Sequence, residues 1–301
     1  MEPLEYIALR AGLIEQGLSD FIRARYMDEF SEMATYVAVG GKKLRGTMTL
    51  LACEGMGGKP EDAVIAACAV ELAHASSLVK DDVMDNDSTR RGKPAFWKRF
   101  GLEMAILLPD VIIPHAALFT HTYGPRAFLS IITAWSKIAQ GQLLDYPRSP
   151  QKSAEPETQY ERIIALKTAS LFEAACDLGV RAAHKEWLVG TGTAYGFNCG
   201  MAFQIVDDAC DLQRAIGKPW SETARGPLPV SIRALKARVS GVDLVREEDF
   251  QTAMGLSQMY LDRAALAAEA FINEDMKDTL RKLPSFCCQA LLAELGVPEN
   301  S

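Results

Sequence analysis

Two stretches have residue types and spacing that can do chemistry: Asp81-Asp82-Val83-Met84-Asp85 and Asp207-Asp208-Ala209-Cys210-Asp211. On a helix, positions i and i+4 share a face, with Cβ atoms about 5–6 Å apart. Asp81 and Asp85 therefore point one way together, as do Asp207 and Asp211. Like charges at this spacing cost a helix a few tenths of a kcal/mol. A solvated acidic face is the plain reading of either cluster alone. Both, however, close mostly apolar runs, Ala63 to Val70 in one case and Met201 to Val206 in the other. Acid at the end of a buried helix needs a cation or a partner. Hard oxygen ligands with no paired Cys/His set beside them suit Mg²⁺ better than zinc. Mg²⁺ keeps several waters and takes one or two carboxylates plus substrate phosphates. Two acidic clusters facing each other can thus hold Mg²⁺ around a diphosphate.

The nearby cations carry the same message. Lys42 and Arg45 stand at a helix start, where the dipole also favours an anion. Arg90 and Arg91 follow the first cluster, and the arginine fork suits phosphate oxygens. Each cation alone reads as a solvated surface charge. Together with the acids they describe a site for two polyanions, one held by metal and one by cations.

The elements that must position these groups are helices. Apolar residues recur at helical spacing, and no convincing hairpin signal is present. The expected helices cover about 3–25, 27–38, 42–56, 61–85, 96–122, 125–145, 157–183 and 186–213, followed by three more, the last at about 275–295. Pro109 and Pro114 are expected to kink or interrupt the fifth, and Pro284 the last. Polar, proline-punctuated loops are expected at 147–156 and 217–229. No strong linker divides the chain, so residues 1–301 read as a single all-α domain.

The chain has 301 residues, 49% hydrophobic, with net charge −7. That composition supports a packed core, and no basic stripe for nucleic acid is evident. Seven cysteines without a CxxC pattern read as reduced core residues of a cytoplasmic protein. No basic n-region precedes an apolar stretch, and no uninterrupted apolar run reaches the roughly 18 residues of a membrane span, so stable membrane insertion is not expected.

Several stretches resemble the trans-type polyprenyl diphosphate synthases: Gly40-Gly41-Lys42-Lys43-Leu44-Arg45, Glu71 to Leu78, the first acid cluster with Arg90-Arg91-Gly92, Gly141 to Asp145, Lys167-Thr168, and Phe203 to Asp208. The resemblance covers most of the chain. It implies a bundle of long helices around a central cavity, the isoprenoid synthase type, working as a homodimer. It implies Mg²⁺-dependent head-to-tail condensation of isopentenyl diphosphate with an allylic diphosphate, with three metal ions around the bound diphosphate. By position, Asp81, Asp82, Asp85, Asp207, Asp208 and Asp211 are metal-linked. Lys42, Arg45, His74 and Arg91 bind isopentenyl diphosphate, while Arg90, Lys167 and Lys218 hold the allylic diphosphate. Thr168 and Gln204 offer oxygens to the developing cation, and with Lys167 form the catalytic set. His74 alone would read as a satisfied core histidine.

The chain departs from the family pattern in places. Gly46 stands where proline is usual. Lys80 directly precedes the first cluster, where it either pairs with a carboxylate or points away. Pro109-Asp110 replaces a common Gly-Asp, and the loop after the second cluster is shortened, with Glu222 and Arg225 as stand-ins. By the resemblance, Ser76 and Ser77, small residues where a tunnel floor would stand, imply a product of geranylgeranyl length or longer; Phe119, Tyr123 or Trp135 are candidates for a deeper blocker, and each alone reads as ordinary core. Two competing readings are a class I terpene cyclase and a non-catalytic regulatory subunit. The retained cations for a second diphosphate argue against the first, and two complete acid clusters argue against the second.

Overall fold

Helix α1 (Pro3–Arg25) shows why this chain is helical. Pro3 sits in its first turn with Glu5, and Arg23 and Arg25 in its last, each charge matched to the helix dipole. Tyr6, Ile14, Leu18 and Ile22 form its buried stripe at helical spacing. The same logic repeats through the computed structural model, which describes residues 2–26, 28–145, 156–217 and 245–294. The helices that follow are α2 (Asp28–Ala38), α3 (Leu44–Gly55), α4 (Val64–Met84), α5 (Phe96–Phe100), α6 (Leu102–Thr120), α7 (Pro125–Asp145), α8 (Pro156–Ile164), α9 (Ser170–Ala182), α10 (Val189–Ala215), α11 (Glu247–Ala268) and α12 (Glu274–Ala293). The fold is all-α, as the periodicity predicts.

The chain divides into two compact units. The first holds Met1–Trp135, Ala174–Gly192 and Ile272–Met276, and the second holds the remainder. In the first, α4 packs against α3 and α6. Its apolar run is rich in alanine (Ala66, Ala67, Ala69, Ala73 and Ala75 are all buried), which lets neighbouring helices approach closely. Tyr6 and Arg10 of α1 both bind the buried Glu54 of α3, at 2.5 Å from the Tyr6 hydroxyl and 2.9 Å from Arg10 Nε. In the second unit, Tyr160, Ile164, Ile205, Val206, Leu212 and Phe250 belong to one buried cluster.

Four local expectations are corrected. The break in the fifth predicted helix falls at Gly101, whose φ of +95° suits glycine, and not at the prolines. Pro109, Pro114 and Pro284 all lie inside continuous helices. Each costs a helix interior about 3 kcal/mol, and burial of Leu108, Ile112, Ile113, Ala116 and Ala117 along α6 offsets the first two. The helix expected at 157–183 is divided by one wider turn, Ala165–Ala169, of π type. A minimal hairpin does form: Thr89–Arg90 pairs antiparallel with Lys93–Pro94. Its two turn residues, Arg91 and Gly92, both have positive φ, +53° and +72°, as a tight primed turn requires.

Two helical stretches, Pro60–Met84 and Leu102–Tyr123, are long and apolar enough to cross a membrane by length and composition alone. The first is mostly buried within its unit, which is the ordinary condition of a core helix. The second is 39% buried and carries exposed Met104, Ile106, Leu107 and Leu118. Predicted loop 147–156 lies outside the described residues except for Pro156, and loop 217–229 except for Gly217; the helix expected before α11 lies outside them too.

Candidate active site

In the first unit the acid cluster closes α4. The Asp85 N–H bonds the Asp81 carbonyl at 2.8 Å, so helical spacing persists through the last acid of the cluster. Asp81 is half-buried and Asp85 exposed, whereas Asp82 turns inward and is only 2% exposed. Burial raises the Asp82 pKa, and Arg90 opposes that rise. Arg90 Nε donates to Asp82 Oδ1 at 2.8 Å, and a second guanidinium nitrogen reaches the same oxygen. Arg90 also lies 3.5 Å from Asp87. The hairpin makes this possible, because it folds the chain back over the end of α4.

Arg91 points elsewhere and donates to the Gly40 carbonyl at 2.9 Å. A Cβ on Gly41 would stand 2.6 Å from the Arg91 guanidinium carbon, so the glycine is what lets that side chain lie on the loop. These residues border a pocket of about 220 Å³ whose lining includes Tyr36, Gly40, Leu78, Asp82, Arg90 and Arg91. Arg45 stands 3.1 Å from His74 Nε2. An arginine can only donate, so His74 accepts as a neutral ring. Burial first, then Arg45, Arg91, Lys43 and Arg90, hold its pKa well below the ordinary histidine range. Lys42 is exposed. Its neighbour Lys43 is buried instead and ties down the carbonyls of Ala38 and Gly40.

The start of α3 already has an anion. Glu71, buried on α4, accepts the Gly46 N–H at 2.7 Å. Gly46 is therefore more than a missing proline, since proline would remove that donor. Lys80 points away from the acids. Its ammonium lies 3.9 Å from Asp110 of α6 and 5.1 Å from the centre of the Trp135 ring. Phe119 packs on Phe21, with ring centroids 4.1 Å apart, and the Tyr123 hydroxyl bonds the Asp62 carbonyl at 2.8 Å.

In the second unit the acid cluster lies within α10. Asp207 is exposed, Asp211 half-buried, and Asp208 only 6% exposed. The Tyr160 hydroxyl donates to Asp208 Oδ2 at 2.8 Å, and Gln204 Nε2 to Oδ1 at 3.1 Å. Burial and the neighbouring Asp207 push the Asp208 pKa up to about 8, against the pull of these two donors. Gln204 Oε1 in turn accepts the Thr168 hydroxyl at 2.7 Å. Lys167 pairs with buried Asp145 at 2.9 Å, and Arg214 with Asp211 at 2.9 Å. The π turn carries both Lys167 and Thr168. A Cβ on Gly141 would lie 2.5 Å from the Lys167 backbone nitrogen, so α7 needs glycine there to approach the turn.

Each unit thus gathers its own share of the expected residues: Arg45 with His74 and Arg90 with Asp82 in one, Lys167, Thr168, Gln204 and Asp208 in the other. Lys218 lies outside the described residues. Among the described residues no three Asp, Glu, His or Cys side chains form a ready cage for a metal. Mg²⁺ does not need one, because phosphate and water complete its shell, and all-oxygen pairs at i and i+4 fit it. Sequence reasoning missed Tyr160 and the partner roles of Glu71 and Asp145. Asp145 stood in a quoted motif, but Tyr160 had no signal beyond helical spacing ahead of Thr168.

A polyprenyl synthetase family model matches residues 27–225, about two thirds of the chain. The chain belongs to the polyprenyl synthetase family. It is therefore a prenyltransferase, and relatives within the family agree. It is 34% identical to a short chain isoprenyl diphosphate synthase from Methanothermobacter thermautotrophicus, over 70% of this chain and 67% of that one. It is 32% identical to a geranylfarnesyl diphosphate synthase from Aeropyrum pernix, over 91% and 93%. Among solved structures it resembles a geranylgeranyl pyrophosphate synthetase from Pyrococcus horikoshii, with TM-score 0.79 and 26% identity over 95% of this chain and 98% of that one. A polyprenyl synthase from Caulobacter crescentus, complexed with calcium and isoprenyl diphosphate, matches with TM-score 0.74 and 26% identity over 95% and 97%.

Proposed function

We propose that this polyprenyl synthetase condenses isopentenyl diphosphate head-to-tail with an allylic diphosphate, giving an all-trans product of geranylgeranyl length or longer. The observation that carries the reading is the acid pair offered by each unit, Asp81 with Asp85 and Asp207 with Asp211, in a chain of this family. Those four acids would hold Mg²⁺, three ions with bound diphosphate, and Asp82 and Asp208 support them from the buried side. Bound Mg²⁺ would draw charge onto the leaving diphosphate.

The chain's own residues supply the rest. Arg90, Lys167 and Lys218 would hold the allylic diphosphate. Lys42, Arg45, His74 and Arg91 would bind isopentenyl diphosphate, with neutral His74 donating through Nδ1. As the allylic carbon–oxygen bond breaks, the oxygens of Thr168 and Gln204 face positive charge. The isopentenyl double bond then attacks, and the departing diphosphate takes the released proton. In support, the Caulobacter relative was solved with a divalent ion and isoprenyl diphosphate.

We also read residues 1–301 as one catalytic domain acting as a cytoplasmic homodimer. Ile106, Leu107 and Leu118 of α6 and Leu129 of α7 are exposed apolar residues of the kind that a second copy would cover. Leu107→Arg with Leu129→Arg should then give a monomer by sedimentation, and a wild-type monomer would refute the dimer.

The test of function is incubation of the purified protein with Mg²⁺, isopentenyl diphosphate and each of dimethylallyl, geranyl and farnesyl diphosphate, followed by sizing of products. Elongated chains of twenty carbons or more support the proposal. Consumption of the allylic substrate without isopentenyl diphosphate would favour a cyclase, and no reaction would favour a regulatory subunit. Ser77→Phe should shorten the product.

A further inference from the structure

We propose that Tyr160 is a positioning residue, which through Asp208 fixes the orientation of the Gln204 amide and with it the oxygen of Thr168; this rests on the prenyl-transfer reading above. Tyr160 lies on α8 and is fully buried. A buried phenol hydroxyl needs a partner. Here the partner is a carboxylate 48 residues away, at 2.8 Å. The other oxygen of that carboxylate accepts Gln204 Nε2 at 3.1 Å. Gln204 Nε2 also stands 3.4 Å from Asp207 Oδ2. Both acids therefore draw the amide nitrogen, and the amide oxygen turns the other way. That oxygen accepts the Thr168 hydroxyl proton at 2.7 Å.

Three segments, α8, the π turn and α10, are thus joined by one chain of donation. Tyr160 and Gln204 donate to Asp208, and Thr168 donates to Gln204. The Thr168 proton is committed inward, so its oxygen keeps lone pairs to offer. An allylic cation is stabilised by oxygen lone pairs and opposed by N–H dipoles. Without the Tyr160 hydroxyl, Asp208 loses one of its two donors and the constraint on the amide weakens. A turned amide would present N–H where the reaction needs oxygen.

The bland alternative is that Tyr160 only fills the core around Ile164, Ile205 and Val206, with which it shares a buried cluster. The ring does that, and phenylalanine would do it equally well. Tyr160→Phe separates the two roles, because it removes the hydroxyl alone. The expected result is a kcat about 10- to 100-fold lower, with the KM for isopentenyl diphosphate within about twofold. In substrate-free protein the ¹⁵N side-chain amide resonance of Gln204 should shift. Adding Tyr160→Phe to Gln204→Leu should slow the enzyme no further. Turnover of Tyr160→Phe within about twofold of wild type would overturn the proposal, as would an unmoved Gln204 resonance. If wild type elongates no primer, the prenyl-transfer reading fails, while the amide resonance still decides whether Tyr160 sets the amide.

Discussion

In the first unit the buried acid of the cluster, Asp82, meets a guanidinium; in the second its counterpart, Asp208, meets a phenol and an amide. The spacing of the two clusters is the same, and both middle acids are shielded from solvent, Asp208 with more of the protein around it. The partner differs in charge. Arg90 opposes the upward push that burial gives Asp82. Tyr160 and Gln204 bring no charge, and Asp207 adds to the burial penalty, so Asp208 rises to about 8. One cluster is electrically settled before any ligand arrives. The other keeps a proton up to about pH 8, which a bound cation would displace.

The largest effect should come from the acids that face outward. Asp81→Ala and Asp207→Ala should each lower isopentenyl incorporation by about 1,000-fold or more, since metal-assisted charge stabilisation is worth several kcal/mol. If only one of them did so, the two clusters would differ in function as well as in partner.

The middle acids should respond in opposite senses. Asp82→Asn removes the counter-charge of a half-exposed arginine and should destabilise the protein by about 1 kcal/mol, the exposed side of Arg90 limiting the loss. Asp208→Asn should stabilise the metal-free protein at pH 8 and above. The sign follows from proton binding. With a folded pKa of about 8 and an unfolded value of about 4, the folded state binds the extra proton in between. Its stability therefore falls as pH rises toward 8. Melting curves in EDTA from pH 5 to 9 should show that slope in wild type and lose it in Asp208→Asn. Equal slopes would dissolve the contrast between the clusters.

A smaller effect tests how far the first unit relies on charge. Glu71→Gln weakens the anion that caps α3 through Gly46 and should cost about 1 kcal/mol by denaturant titration. Gly46→Pro should cost at least as much, because Glu71 would stay buried without that donor.

The smallest signal belongs to His74. Its depressed pKa means that only the unfolded state takes up this proton just below about pH 6.5, so stability is lost as pH falls through that range. An NMR titration should show the His74 ring neutral from pH 8 to 6. A midpoint near 6.5 would mean that the surrounding cations do not act on it.

Much of this protein was legible without coordinates. The helices were, because apolar spacing repeats every three to four residues whatever the chain does elsewhere. So was the pairing of Asp81 with Asp85 and of Asp207 with Asp211, since i and i+4 on a helix is local geometry. The family motifs also named Thr168 and Gln204, which share a hydrogen bond, and Lys167, which pairs with Asp145. The prolines misled as signs of a helix break, because burial of a helix face outweighs a lost backbone bond, and sequence does not give that burial. The hairpin was missed because two residues per strand leave no alternating pattern to read. What tertiary structure alone decided is the partner of each middle acid. Arg90 reaches Asp82 only because a turn reverses the chain beyond α4, and Tyr160 reaches Asp208 across 48 residues. Spacing fixes the neighbours on one helix, whereas contacts between segments depend on how the whole chain packs, and here those contacts set the charge of the site.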